Sequence, residues 1–138
     1  MNGIGGGPIP GGGLATGQLT PETACLRIVG GPKSGTVFPL NRARTLVGRS
    51  QVPLLQVDID LSDCAGDGPS TVHRRHAEIS WVGGELSLVH LGGSNGTRVN
   101  DDMIAGTGTN APSEAVVIRL GDKITFSNVI MEVVLADR

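Results

Sequence analysis

The feature that most restricts this chain is the spacing of its apolar residues. From Glu22 onward they fall in short runs, and no segment keeps them at helical spacing for three turns. The runs are Ala24–Val29, Thr36–Leu40, Thr45–Gly48, Val57–Asp60, His76–Val82, Glu85–His90, Thr97–Val99, Ala115–Leu120, Lys123–Phe126 and Val129–Leu135. They are rich in Val, Ile and Thr, whose branched side chains suit a pleated, half-buried surface. Turn-forming clusters separate them: Gly30-Gly31-Pro32, Gly83-Gly84, Ser94-Asn95-Gly96 and Ser127-Asn128. About ten short strands at this spacing predict an all-β domain, a sandwich or barrel with loops gathered at its ends.

The chain has 138 residues, room for one ordinary domain and too few for two. Residues 1–20 hold eight of the 22 glycines, two prolines and no charged side chain. Such a stretch buries too little apolar surface to offset its ordering entropy, so it reads as a flexible tail or linker. The domain is expected over residues 22–136. Two further stretches lack a strand pattern, Ser62–Thr71 and Gly106–Glu114. Loops on a rigid sandwich are where binding residues tend to sit, and Ser62–Thr71 is the better candidate; Gly106–Glu114 reads as a surface insertion.

Charge and composition exclude several classes. The net charge of -2 favours neither nucleic acid nor an acidic membrane surface. With only Phe38, Trp81 and Phe126 as aromatics, a model in which bases stack on an aromatic platform is weakened. No apolar run approaches the roughly 20 residues of a membrane span, and no signal-peptide pattern opens the chain, so a reducing cytoplasm is expected. Cys25 and Cys64 have neither metal nor disulfide-framework spacing. Nine of the eleven basic residues are arginine, whose planar fork of donors matches phosphate better than a lysine point charge does. Arg42, Arg44 and Arg49 precede a run of four acids, Asp58, Asp60, Asp63 and Asp67, and Arg74 and Arg75 follow it. The arginines could hold an anion or pair with those acids.

Three motifs then occur in one order: Val47-Gly48-Arg49-Ser50 at a strand end, Val72-His73-Arg74-Arg75-His76-Ala77-Glu78-Ile79 from a loop into a strand, and Ser94-Asn95-Gly96-Thr97-Arg98-Val99-Asn100 at a turn. A Leu120-Gly121-Asp122-Lys123-Ile124 turn leads on to Phe126. Together, on this strand pattern, they resemble the forkhead-associated (FHA) domain over about residues 22–136. The resemblance implies a sandwich of about eleven mostly antiparallel strands whose loops at one end bind a phosphothreonine peptide. By it, Arg49 would grip the phosphate with Ser50 beside it, and Arg74 would contact phosphate or peptide backbone. Ser94 and Asn95 would hold the peptide, while Gly48, His76, Gly96 and Thr97 would build the loops. No cofactor is implied; the partner would be a threonine-phosphorylated protein or peptide.

The chemistry is consistent. Phosphothreonine carries about -1.5 to -2 charge and strong acceptor oxygens, which charge-assisted bonds from arginine satisfy. An Asn amide both donates and accepts, so it can fix peptide direction. The chain departs from the family at His73, where a phosphate-binding Ser is usual. His73 could replace that hydroxyl as an N–H donor, Ser70 or Thr71 could supply one, or phosphate binding could be lost. The last case leaves a phosphate-independent interaction or self-association module on the same fold. Other chemistry has less support. His73 and His76 are three apart, which on a strand points them to opposite faces, and Cys64 and His90 add no metal spacing. There is no nucleophile elbow of the G-x-S-x-G type.

Overall fold

Strand β6 (Glu85–His90) shows how the alternation folds. Leu86, Leu88 and His90 are buried while the residues between them are not, so one face turns to the core. The computed structural model describes residues 19–66, 68–92, 95–105 and 112–136. Among them are eleven strands and no helix. The others are β1 (Ala24–Val29), β2 (Val37–Pro39), β3 (Arg44–Gly48), β4 (Ile59–Asp60), β5 (Arg75–Val82), β7 (Thr97–Val99), β8 (Asp102–Ala105), β9 (Val116–Ile118), β10 (Lys123–Phe126) and β11 (Val129–Leu135).

Two sheets form. One has five strands in the order β9-β6-β5-β3-β4, the other six in the order β2-β1-β11-β10-β7-β8. All pairings are antiparallel except β3 with β4, where Val47 lies opposite Ile59 and Gly48 opposite Asp60. The inner faces meet in a core that includes Leu26, Ile28, Val47, Ile79, Leu86, Leu88, Ile124, Phe126, Met131 and Val133. Burying one such side chain stabilises the fold by roughly 1.5–3 kcal/mol. Aliphatic residues therefore supply the core, as the scarcity of aromatics requires; Trp81 is half-buried and donates its indole N–H to Leu40 O at 2.8 Å.

The expected all-β sandwich is present. The strand the sequence did not reveal is β8, which pairs with β7 after a turn in which Asn100 has φ 55°. Most of the expected tail lies outside the described residues. Leu19 and Thr20, assigned to it by composition, are among the described residues: Leu19 packs on the core, and Thr20 O accepts the N–H groups of Thr23 and Ala24.

A bulge in the β3–β5 pairing positions the binding end. Val47 faces Ala77, but Gly48 faces Arg75, so His76 is the extra residue on β5. A bulge re-aims the side chain it carries, and here His76 and Ala77 are both buried in succession. The alternation that would set His73 and His76 on opposite faces of one strand does not apply, because His73 lies in the loop before β5.

Candidate functional site

The site is built where β3 ends. Gly48 packs so closely on the entering loop of β5 that an added Cβ would lie 1.9 Å from Arg74 O and 2.7 Å from its carbonyl carbon. Only glycine tolerates that approach. The contact lets Arg49 N–H donate to Arg74 O at 3.1 Å. The Arg49 side chain then turns back over the same loop, and its Nε–H donates to Val72 O. Both ties fix the stem and leave the two Nη groups of the fork without a hydrogen bond among the described residues. Of the acids between β3 and β5, Asp58 pairs with Arg42 at 3.1 Å; among the described residues no carboxylate pairs with Arg49.

Ser50 is engaged from below. Its Oγ accepts Val57 N–H at 3.0 Å, and beside it the Asp60 carboxylate accepts Ser62 N–H at 3.0 Å and the Ser62 hydroxyl. Burial pushes that carboxyl up, but hydrogen bonds from Ser62 and Ser50 outweigh it and hold the group below the usual carboxylate range. Ser50, expected among the phosphopeptide-binding residues, braces the loop after Arg49 through the hydrogen bond its Oγ accepts from Val57.

The loop before β5 is tied to two turns. Thr71 N–H donates to Asn128 Oδ1 at 2.9 Å, and Asn128 Nδ2 donates to Pro69 O at 3.0 Å. The Thr71 and Ser127 hydroxyls bond each other, and Ser127 N–H reaches Gly96 O at 3.0 Å from a backbone with φ 57°. Asn95 Nδ2 closes the ring by donating to Thr71 O at 2.7 Å. One of its two amide N–H donors is thereby used within the chain, and its Oδ1 has no hydrogen-bond partner among the described residues. Ser70 Oγ accepts Val72 N–H at 3.3 Å. With Thr71 tied to Ser127, the exposed side chains left at the loop's end are His73 and Arg74.

Beneath them lies a buried chain of polar groups. His73 N–H donates to His76 Nδ1 at 3.1 Å. A backbone N–H can only donate, so Nδ1 is bare and His76 carries its proton on Nε2. That Nε2–H reaches Thr97 Oγ1 at 2.8 Å and Gly96 O at 3.2 Å. The Thr97 hydroxyl also contacts His90 Nδ1 at 2.8 Å. His76, Thr97 and His90 have no exposed surface. The imidazoles meet edge to face at 5.2 Å, and His76 meets Phe126 the same way at 5.8 Å. Burial pushes His76 down to about 4, helped by the proximity of His90 and His73. Burial also lowers His90, again helped by His73. Among the described residues, His90 Nε2 is a buried polar atom with no partner.

The FHA domain model matches residues 45–127, which carry the site just described except for Asn128. This chain belongs to the FHA domain family. The glycogen accumulation regulator GarA of Mycolicibacterium smegmatis is 34% identical over 106 residues, covering 77% of this chain and 55% of GarA. The chain thus spans about half the length of that relative. The oxoglutarate dehydrogenase inhibitor of Corynebacterium efficiens is 34% identical over 126 residues, covering 90% of this chain and 72% of the inhibitor. A solved FHA domain studied for phosphothreonine-dependent interactions is 26% identical, superposes with a TM-score of 0.59, and covers 84% of this chain and 99% of its own.

This FHA domain brings Arg49, Ser50, His73, Arg74 and Asn95 to one end of the sandwich; Ser94 lies outside the described residues. Sequence reasoning did not assign Ser127, Asn128 or His90 to the site. Ser127-Asn128 was visible as a turn, and His90 continues the inward series Leu86, Leu88, but neither signal says what the side chains touch. Among the described residues no cluster of three His, Cys, Asp or Glu side chains is arranged to hold a metal ion, and no helix is long and apolar enough to cross a membrane.

Proposed function

We propose that this FHA domain is a regulatory protein-interaction module that binds a phosphothreonine-bearing segment of a partner protein in the cytoplasm and performs no catalysis. The observation that carries the reading is the Arg49 fork, fixed at Nε on Val72 O and free at both Nη groups. A preorganised guanidinium loses little freedom on gripping phosphate oxygens, and its bonds are charge-assisted. Arg74 adds a second cation at the rim. His73 is the side chain placed to complete the phosphate shell where the family usually has serine. Asn95, fixed by Thr71, offers its Oδ1 to a peptide N–H and so reads backbone direction. Ser50 holds the loop under Arg49. The relatives' names, a regulator and an inhibitor, support regulation over chemistry.

The test is calorimetry with phosphothreonine peptides and their unphosphorylated twins, on the natural chain and on Arg49→Ala. Loss of one hydrogen-bonded charged group costs about 1.5–3 kcal/mol, so a micromolar complex should weaken toward millimolar. The Arg49→Ala protein should keep its melting temperature. Equal affinity of both proteins would remove Arg49 from the site. Equal affinity for phosphorylated and unphosphorylated peptides would replace this reading with phosphate-independent association.

A further inference from the structure

Asn95 is followed by Gly96, and the pair carries a reactivity that holding a peptide does not use. Asparagine is chemically labile: the backbone nitrogen of the next residue can attack its Cγ and expel ammonia. Glycine permits this best, because it places no Cβ in the path of that nitrogen. The groups that would react are open here. Gly96 is held by its carbonyl, which accepts Ser127 N–H at 3.0 Å and His76 Nε2–H at 3.2 Å, while its own N–H has no partner among the described residues. The Asn95 amide is tied at its nitrogen, which donates to Thr71 O at 2.7 Å, and among the described residues it is not tied at Oδ1. The residue is half-buried, so water reaches it. Two other asparagines are held at both ends of the amide. Asn100 donates to Asp122 at 3.2 Å and accepts Lys123 N–H at 3.0 Å. Asn128 donates to Pro69 O and accepts Thr71 N–H. Neither precedes a glycine: Asp101 and Val129 follow them.

We propose that Asn95 is a modification site: it deamidates spontaneously with water as the co-reactant, and the product no longer captures a phosphothreonine-bearing segment. The loss of binding rests on the phosphothreonine reading above; the chemistry at Asn95 does not. The Gly96 nitrogen gives up its proton and bonds to Asn95 Cγ, the Cγ–Nδ2 bond breaks, and ammonia leaves a cyclic imide. Water then opens the ring. Cleavage between Cγ and the Gly96 nitrogen gives an aspartate at position 95. Cleavage between the position-95 carbonyl carbon and that nitrogen gives an isoaspartate, with the chain running through Cβ and Cγ. The sum is uptake of water and release of ammonia, with no oxidant or cofactor. The aspartate replaces the donor to Thr71 O with a carboxylate that faces a carbonyl. The isoaspartate lengthens the main chain next to Gly96, whose carbonyl braces Ser127 and His76. Either product sets negative charge at the rim that Arg49, His73 and Arg74 share, where it opposes a ligand of about -1.5 to -2 charge. A bound peptide N–H on Oδ1 would pin the free end of the amide, so an occupied domain is protected and an empty one is withdrawn from binding with time.

The experiment ages the full chain in mildly alkaline buffer at physiological temperature, with and without an excess of phosphothreonine peptide. Fragments are mapped by mass spectrometry, with isoaspartate resolved by chromatography. Asn95 should convert well ahead of Asn100 and Asn128. The peptide should slow Asn95 and leave Asn2-Gly3, the same dipeptide elsewhere in the chain, at its own rate. The isolated aged fraction and the variant Asn95→Asp should both bind the phosphopeptide at least about tenfold more weakly than the fresh chain, with their melting temperatures little changed. Conversion of Asn95 no sooner than Asn100 and Asn128 removes the modification site. An aged fraction and an Asn95→Asp protein that bind as tightly as the fresh chain, or that lose the fold, overturn the switch. If the fresh chain binds no peptide better with phosphate than without it, the phosphothreonine reading falls and the switch with it, while the mass map still decides the chemistry at Asn95.

Discussion

His73 and His76 are three residues apart and live in opposite surroundings. His73 stands exposed on the rim with Arg49 and Arg74, where water and a phosphate can both solvate charge. His76 is sealed beneath, and its ring links the His73 backbone to Thr97 and through it to His90. On the rim the side chains are useful because their donors are free. In the base they are useful because nearly every donor and acceptor is committed. Buried polar groups that are fully paired make a loop rigid, whereas an unpaired one is costly. The base thus holds the rim still, and neutral imidazole suits it because the ring must accept at one nitrogen and donate at the other.

The most severe way to break this arrangement is to separate the two layers at Gly48. An alanine there would place Cβ 1.9 Å from Arg74 O, a backbone atom that cannot swing aside. Either β3 and the β5 entry part or the bulge is lost. Gly48→Ala should cost at least about 3 kcal/mol, the upper range for overpacking, and should also abolish phosphopeptide binding. Chemical denaturation and calorimetry on the same sample check both. A variant with normal stability would show that the close approach is dispensable.

Acid should break the base next. His76 sits near 4 when folded, against about 6.5 for an unperturbed histidine. Between those values the unfolded chain binds a proton that the folded chain excludes, so stability falls as pH drops. Above about 6.5 His76 contributes no pH dependence, and below about 4 its effect levels off. The full loss is on the order of 3 kcal/mol, and His90, lowered for the same reason, adds in the same direction. Urea midpoints from pH 7.5 to 4, with NMR titration of the His76 ring, measure this. A His76 ring that titrates near 6.5 in the folded protein would contradict the buried network.

The rim was more legible in the sequence than the base. Strands such as Glu85–His90 and Lys123–Phe126 could be bounded from alternation alone, because one face is core and the other is water. β8 escaped notice because Asp102-Met103-Ile104 has no such alternation; it is an edge strand that pairs with β7 and reaches the core only through Ile104. The parallel contact of β3 with the two-residue β4 is a tertiary choice that no local pattern records. Arg49, His73, Arg74 and Asn95 stood out because their motif is local. Ser127 and Asn128 brace Thr71 from 56 and 57 residues away, and His90 meets His76 only after a bulge has re-aimed that ring. Such partnerships depend on packing, so spacing along the chain gives no warning of them.

Asn95 sits between the layers, and its substitution should have a smaller effect. Asn95→Ala removes the donor to Thr71 O and the Oδ1 acceptor proposed for a peptide N–H. Each hydrogen bond is worth about 1 kcal/mol. Peptide affinity should therefore drop by roughly one to two such bonds, while binding of free phosphate or sulfate at Arg49 should persist. Parallel titrations of phosphopeptide and inorganic phosphate followed by NMR would test the division. Equal loss of both would mean that Asn95 serves the phosphate site through the loop it braces.

The finest test of the contrast is His73→Ser, which changes the rim without touching the base. The backbone N–H of residue 73 still donates to His76 Nδ1, so the fold should be kept, and the acid transition should ease only by the small part of the His76 and His90 lowering that the His73 ring supplies. Only the side chain facing the ligand differs. Imidazole and hydroxyl both offer a donor, but they differ in size and reach, so phosphopeptide affinity should change by about 0.5–1.5 kcal/mol, the range of one net hydrogen bond. Calorimetry of both proteins with the same phosphopeptide, at constant pH and salt, gives the comparison. Equal affinities would place His73 outside the phosphate shell and leave the rim to Arg49 and Arg74.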